Sequence, residues 1–176
     1  PDKWFDIADE AGLLIQNEFF LWTQKDYWKI GELETQLGEW MRDHWNHPSV
    51  VIWDMQNETR WDKLEEIINK FRPLDLSNRQ WENGWSRPAG ENDPVEDHNY
   101  LSYADPKGGE ISPWRMPVYA NGNGSKGINS FHPSAHATIL NEYAWMWLLR
   151  DGSPTILGKS FYNRIAPNCT NQERQE

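Results

Sequence analysis

A single cysteine, Cys169, stands among the 176 residues, so no intrachain disulfide and no cysteine-based zinc site can form. No run of about 18 apolar residues occurs, which leaves membrane insertion by an apolar helix without a candidate segment. Basic residues are short as well. Against 27 acidic side chains there are 17 Lys and Arg, and the net charge of −10 repels nucleic-acid phosphates and anionic membrane surfaces. Neither nucleic acid nor membrane is an expected partner. The start at Pro1 shows no methionine and no basic-then-apolar signal segment, and reads as a cut or excerpted end. The compartment stays unassigned, with a periplasmic or extracellular setting favoured over the cytoplasm. What is plentiful is tryptophan, at 12 residues.

Hydrophobic periodicity places alternating helices and strands along the chain. Trp4, Phe5, Ala8 and Ala11 share a helical face that Gly12 should end, and Leu13 to Phe20 reads as a buried strand with polar side chains at its end. A second helix is expected over 32–44, where Leu33, Leu37, Trp40 and Met41 repeat at helical spacing. Val50 to Trp53 is a compact β-branched run with the polar tail DMQNE. A third helix follows through Leu64, Ile67, Ile68 and Phe71, closed by Pro73, with a weaker strand at Arg79 to Glu82.

From about 86 to 135 most of the Gly and Pro residues collect in a loop-rich insertion, with one short strand expected near Val95 to Leu101. Thr138 to Glu142 forms a further strand, a helix is expected near Ile156 to Ile165, and 171–176 reads as a solvated tail. Strands alternating with helices define an α/β fold of parallel βα units. In such folds chemistry collects at the carboxyl ends of the strands.

Two strands deliver the same dipeptide there: VVIWDMQNE ends at Glu58 and TILNE ends at Glu142. Such carboxylates are a candidate acid and nucleophile pair for retaining glycoside hydrolysis, which needs them about 5–5.5 Å apart. A plainer alternative has Asn57 and Glu58 capping the following helix. Indole faces cover the C–H face of a pyranose, and Trp81, Trp114 and Trp145 are the candidate sugar platforms. His98 is a candidate polar contact at the rim, and Glu18, at the end of the first strand, a further contact to substrate or to another polar group. His132 and His136 are four apart, but Pro133 interrupts any helix between them and no third ligand is evident, so no metal is expected.

HWNHPSVVIWDMQNET (44–59) resembles the acid/base signature of glycoside hydrolase family two, the group of β-galactosidases, β-glucuronidases and β-mannosidases. WFDIADEAGLLIQNEFFLW (4–22) and ILNEYAW (139–145) are similar to that family's third strand with its preceding helix and to its nucleophile strand. The resemblance implies a TIM (β/α)8 barrel of which this chain covers approximately strands three to seven. It implies Glu58 as general acid/base, Glu142 as nucleophile and Asn57 as a ligand of the sugar hydroxyl beside the reacting carbon, with no cofactor. The activity implied is that of a retaining exo-β-glycosidase on a terminal sugar of an oligosaccharide or glycoconjugate. The alternatives are a catalytically silent carbohydrate-binding relative and an endo-acting glycosidase of the same mechanistic clan.

A whole barrel takes about 250 residues. With 176 residues and five strands in view, 1–176 reads as a partial catalytic domain whose remainder lies in a longer chain.

Overall fold

The computed structural model describes residues 3–23, 25–99, 136–143, 147–156, 158–159, 162–163 and 166–176. Two compact units divide the chain, Pro1–Glu96 with Ile128–Ile139 and Asp97–Gly127 with Leu140–Glu176.

In the first unit, helix α1 (Lys3–Ala11) ends as expected at Gly12, whose φ of +71° only a residue without a side chain adopts at no steric cost. The Leu13 amide then donates to the Ala8 carbonyl at 2.9 Å, closing the helix and turning the chain into strand β1 (Ile15–Glu18). The strand is shorter than its apolar text, because Leu13 and Leu14 are 59% and 75% exposed and precede it. Helix α2 (Ile30–His44), strand β2 (Val50–Asp54), helix α3 (Lys63–Phe71) and strand β3 (Gln80–Glu82) follow. A 3₁₀ turn at Arg72–Leu74, containing Pro73, closes α3.

β1, β2 and β3 form a parallel three-stranded sheet in chain order, with Asn17 opposite Trp53, Glu18 opposite Asp54, Trp53 opposite Trp81 and Asp54 opposite Glu82. Parallel neighbours joined through helices are the βα units read from the sequence. Side chains alternate across a strand, so one register position decides which face a residue joins. Trp53 and Trp81 take the face covered by helices, their ring centroids 6.0 Å apart. There they pack with Leu33, Leu37 and Met41 of α2 and with Leu64, Ile67, Ile68 and Phe71 of α3. Each such side chain contributes about 1.5–3 kcal/mol on full burial. Gly38 lets the two helices approach: a Cβ there would lie 3.3 Å from Phe71 Cε1. Asp54 and Glu82 take the opposite face.

Arg79 fastens the amino end of this sheet. Its guanidinium pairs with Asp75 at 2.6 Å and donates to the carbonyls of Val50, Trp45 and His47, while lying 5.4 Å from the Trp53 ring. Asp9 of α1 does the same for the turn before β2, accepting from the Ser49 amide at 2.8 Å and pairing with His47 at 2.6 Å.

Strands β4 (Val95–Asn99) and β5 (Thr138–Tyr143) make a separate two-stranded sheet at the positions expected from the sequence. In the second unit, 171–176 departs from a plain solvated tail. Helix α4 (Asn171–Gln175) forms there, exposed but started by a reciprocal capping box between Thr170 and Glu173. The helix expected over 156–165 falls largely outside the described residues. No helix among the described residues is long and apolar enough to cross a membrane.

Candidate active site

The carboxyl ends of the three parallel strands are built by side chains that tie neighbouring loops together. Beyond β2 the chain runs on as Met55, whose amide donates to the Glu82 carbonyl at 3.0 Å, and Gln56, which is fully buried. Gln56 Nε2 donates to the Asn83 carbonyl and Oδ1, both at 2.9 Å, and to Ser86 Oγ at 3.1 Å. The loop after β3 can come this close because Gly84 has φ +51° and no side chain; a Cβ there would sit 2.7 Å from the Gln56 carbonyl oxygen. Asn-Gly at 83–84 was the signal in the sequence for that turn.

On the other side, the Asn57 amide donates to the Leu21 carbonyl at 2.9 Å, and Trp22 and Asn57 form a parallel bridge that prolongs the pairing of β1 with β2. Thr59 Oγ1 donates to the Asn57 carbonyl at 2.8 Å and accepts from the Thr23 amide at 2.6 Å. Glu58, held between these clamps, has φ +46°. A left-handed conformation at a side-chain-bearing residue costs of order 1–2 kcal/mol and marks a position the surroundings over-determine.

The Glu58 side chain is half-buried, and its Oε2 accepts a hydrogen bond from Trp22 Nε1 at 3.1 Å. It does not cap α3, which begins at Lys63 with Asp62 in the cap position and no side-chain cap. Asn57 is half-buried beside it, and Glu18 is exposed at the end of β1. The structure thus brings Asn57 and Glu58 to one strand end, as the sequence indicated.

Trp81 is a correction. It is fully buried, with its ring among the core residues, and offers no face to a sugar. The cause is parity: in register with Trp53, it points to the helix layer, while its neighbour Glu82 points away from it. The side chains of Glu142 on β5 and His98 on β4, together with Trp114 and Trp145, lie outside the described residues. A uronic acid would call for a cationic clamp, for which the sequence offers Arg79, Arg87 and Arg115: Arg79 is committed to the sheet's amino end as described above, Arg87 is exposed in the loop after β3, and Arg115 is outside the described residues.

Sequence reasoning missed three buried acids, two on the opposite face of this sheet and one on β4. Asp54, Glu82 and Glu96 are buried, with an oxygen of each within 4.8 Å of the others. Asp54 Oδ2 accepts from Gln16 Nε2 at 2.8 Å. Burial pushes the Glu82 carboxyl well above the ordinary carboxylate range, and the Asp54 and Glu96 carboxylates push it the same way. A proton retained on Glu82 and shared with Asp54 relieves the charge. Oxygen donors of this kind also suit a hard divalent cation, and among the described residues this is the group whose atoms could hold one. The signal available in the sequence was an acid at the end of β2 and of β3 and another at the start of β4.

One comparison supports a glycoside hydrolase-like relationship for part of the chain. A protein of Formosa agariphila described as "Putative beta-glucuronidase" is 37% identical over 82 residues, covering 43% of this chain and 8% of that protein. The chain therefore matches only a small part of that relative's length. No protein-family model and no solved structure matches the chain.

Proposed function

We propose that this chain is part of the (β/α)8 catalytic domain of a retaining exo-β-glycosidase, acting on the terminal sugar of an oligosaccharide or glycoconjugate. The observation that carries the reading is the presentation of Glu58. A carboxylate at the carboxyl end of a parallel strand, in a constrained left-handed conformation and partly open to solvent, is arranged for chemistry more than for packing. In the proposed cycle Glu142 attacks the anomeric carbon while Glu58 gives its proton to the departing oxygen. A water that loses a proton to Glu58 then releases the sugar from Glu142. Asn57 donates to the hydroxyl beside the reacting carbon, a bond that strengthens in the transition state.

The relative's name makes a β-glucuronide the first substrate to test. Arg79 would not hold its carboxylate, since that guanidinium is already spent on four backbone and side-chain partners. The experiment is a pair of variants assayed on aryl glycosides. Glu142→Gln should abolish turnover, and Glu58→Ala should retain activity only where the leaving group needs no protonation. Full activity of either variant on an ordinary alkyl glycoside sinks the assignment.

A further inference from the structure

Among the described residues, Glu58 meets the side chain of Trp22, a tryptophan the sequence did not single out. Trp22 follows β1, and its backbone is bridged to Asn57 while its indole N–H reaches Glu58 Oε2 at 3.1 Å. These two ties fix a side chain that is nevertheless 53% exposed. Trp81 packs against Trp53 inside the core and is stabilised by burial, whereas Trp22 leaves much of an indole in water. An indole held rigidly and left uncovered beside a strand-end carboxylate has a face free for a ligand.

Its N–H also constrains the proton. Indole nitrogen only donates, so the oxygen it meets must act as an acceptor whether Glu58 is ionised or protonated. The C=O oxygen is the better acceptor of a protonated carboxyl, so the indole bond at Oε2 favours placing the transferable hydrogen on the other oxygen, Oε1. We propose that Trp22 is the leaving-group platform of this site: its face stacks on the C–H face of a departing pyranose, and its N–H keeps the acid proton on Oε1. The proposal rests on the reading of Glu58 as the acid. In the step concerned, the bond from the anomeric carbon to the glycosidic oxygen breaks with its electron pair going to oxygen, and that oxygen takes the Oε1 proton. The Glu142 carboxylate forms the new bond to carbon, and the Glu58 carboxylate left behind keeps its indole hydrogen bond on Oε2. The ligand class implied is an oligosaccharide whose leaving group is itself a sugar ring.

The test compares Trp22→Ala and Trp22→Phe on an oligosaccharide and on the glycosyl fluoride of the same terminal sugar, whose leaving group has no ring and needs no acid. Trp22→Ala should lower kcat/KM on the oligosaccharide by roughly tenfold or more, the loss of one aromatic stacking contact of about 1.4 kcal/mol. The loss on the fluoride should be several times smaller. Trp22→Phe restores the ring without the N–H, and should recover KM on the oligosaccharide while kcat stays depressed. Equal losses on both substrates, or none on the oligosaccharide, overturn the proposal. Glu58→Ala run in parallel separates the two ideas. If it hydrolyses the oligosaccharide at the native rate, the acid assignment fails, and the platform is then judged by calorimetric titration of the oligosaccharide into native and Trp22→Ala protein. Unchanged affinity there overturns the platform as well.

Discussion

Glu82→Gln tests the account of the buried acids. Glu82 is fully buried on β3, opposite Asp54 on β2 and near Glu96 on β4, and its carboxyl is held well above its ordinary 4.5 by burial first and by those two carboxylates next. Below that ordinary value the group is protonated in the folded and the unfolded chain alike and contributes nothing to the pH dependence. Above it the unfolded chain releases the proton while the folded chain keeps it, so stability falls as pH rises until the folded carboxyl itself ionises. One proton retained corresponds to a slope of about 1.4 kcal/mol per pH unit. Each pH unit over which the folded chain keeps that proton therefore removes a sizeable share of a domain stability of order 5–15 kcal/mol. The carboxyls held below their ordinary range, Asp9, Asp151 and Glu173, complete their own contribution at lower pH and do not obscure this window. Glutamine keeps the volume, cannot ionise, and has an amide to donate to Asp54. Urea midpoints measured between about pH 5 and 8 should therefore fall steeply for the native chain and stay nearly level for Glu82→Gln. Parallel curves would refute the reasoning, because they would mean that Glu82 ionises in the folded state as readily as in the unfolded one.

Gly84→Ala should cost roughly 2–4 kcal/mol in urea unfolding, from a left-handed alanine and a Cβ only 2.7 Å from the Gln56 carbonyl oxygen. It should also depress kcat more than KM, because Gln56 leads directly into Asn57 and Glu58; unchanged stability would show that the loop yields freely. Arg79→Met leaves Asp75 buried without its cation and three carbonyls without their donor, and should destabilise by about 3–5 kcal/mol in chemical denaturation with no change in substrate preference. A selective loss on acidic sugars would contradict the structural role of Arg79. For Asp9, burial raises the carboxyl, but hydrogen bonds from Ser49 and His47 outweigh it and hold it below its ordinary 3.8. Its stabilisation is therefore present above that value and lost as pH falls through the lowered one. Thermal midpoints of the native chain and Asp9→Asn should differ above about pH 4 and converge on further acidification; a constant gap would refute the clamp.

Periodicity made the helices legible because a stripe such as Leu33, Leu37 and Met41 repeats often enough to reveal its face. The strands were harder. β3 has three residues, too few for alternation to show which of Trp81 and Glu82 meets the helices, and the choice made from tryptophan's chemistry fell on the wrong side. The information needed was present one strand away. Trp53 heads a buried aromatic cluster, so its neighbour Asp54 faces the other way, and the parallel register carries the same parity to Trp81 and Glu82. Parity of this kind follows only once the pairing is known, since a shift of one residue reverses every face. Trp22 lies beyond even that reasoning. It sits past the end of β1, and its meeting with Glu58 spans 36 positions through hydrogen bonds of Leu21 and Thr23 that no periodic pattern announces. Motif reading therefore found the dipeptide that arrives at the strand end, Asn57 and Glu58. What surrounds that dipeptide, from the Gln56 anchor to the Trp22 indole, is contributed by loops whose chemistry depends on which strand lies alongside.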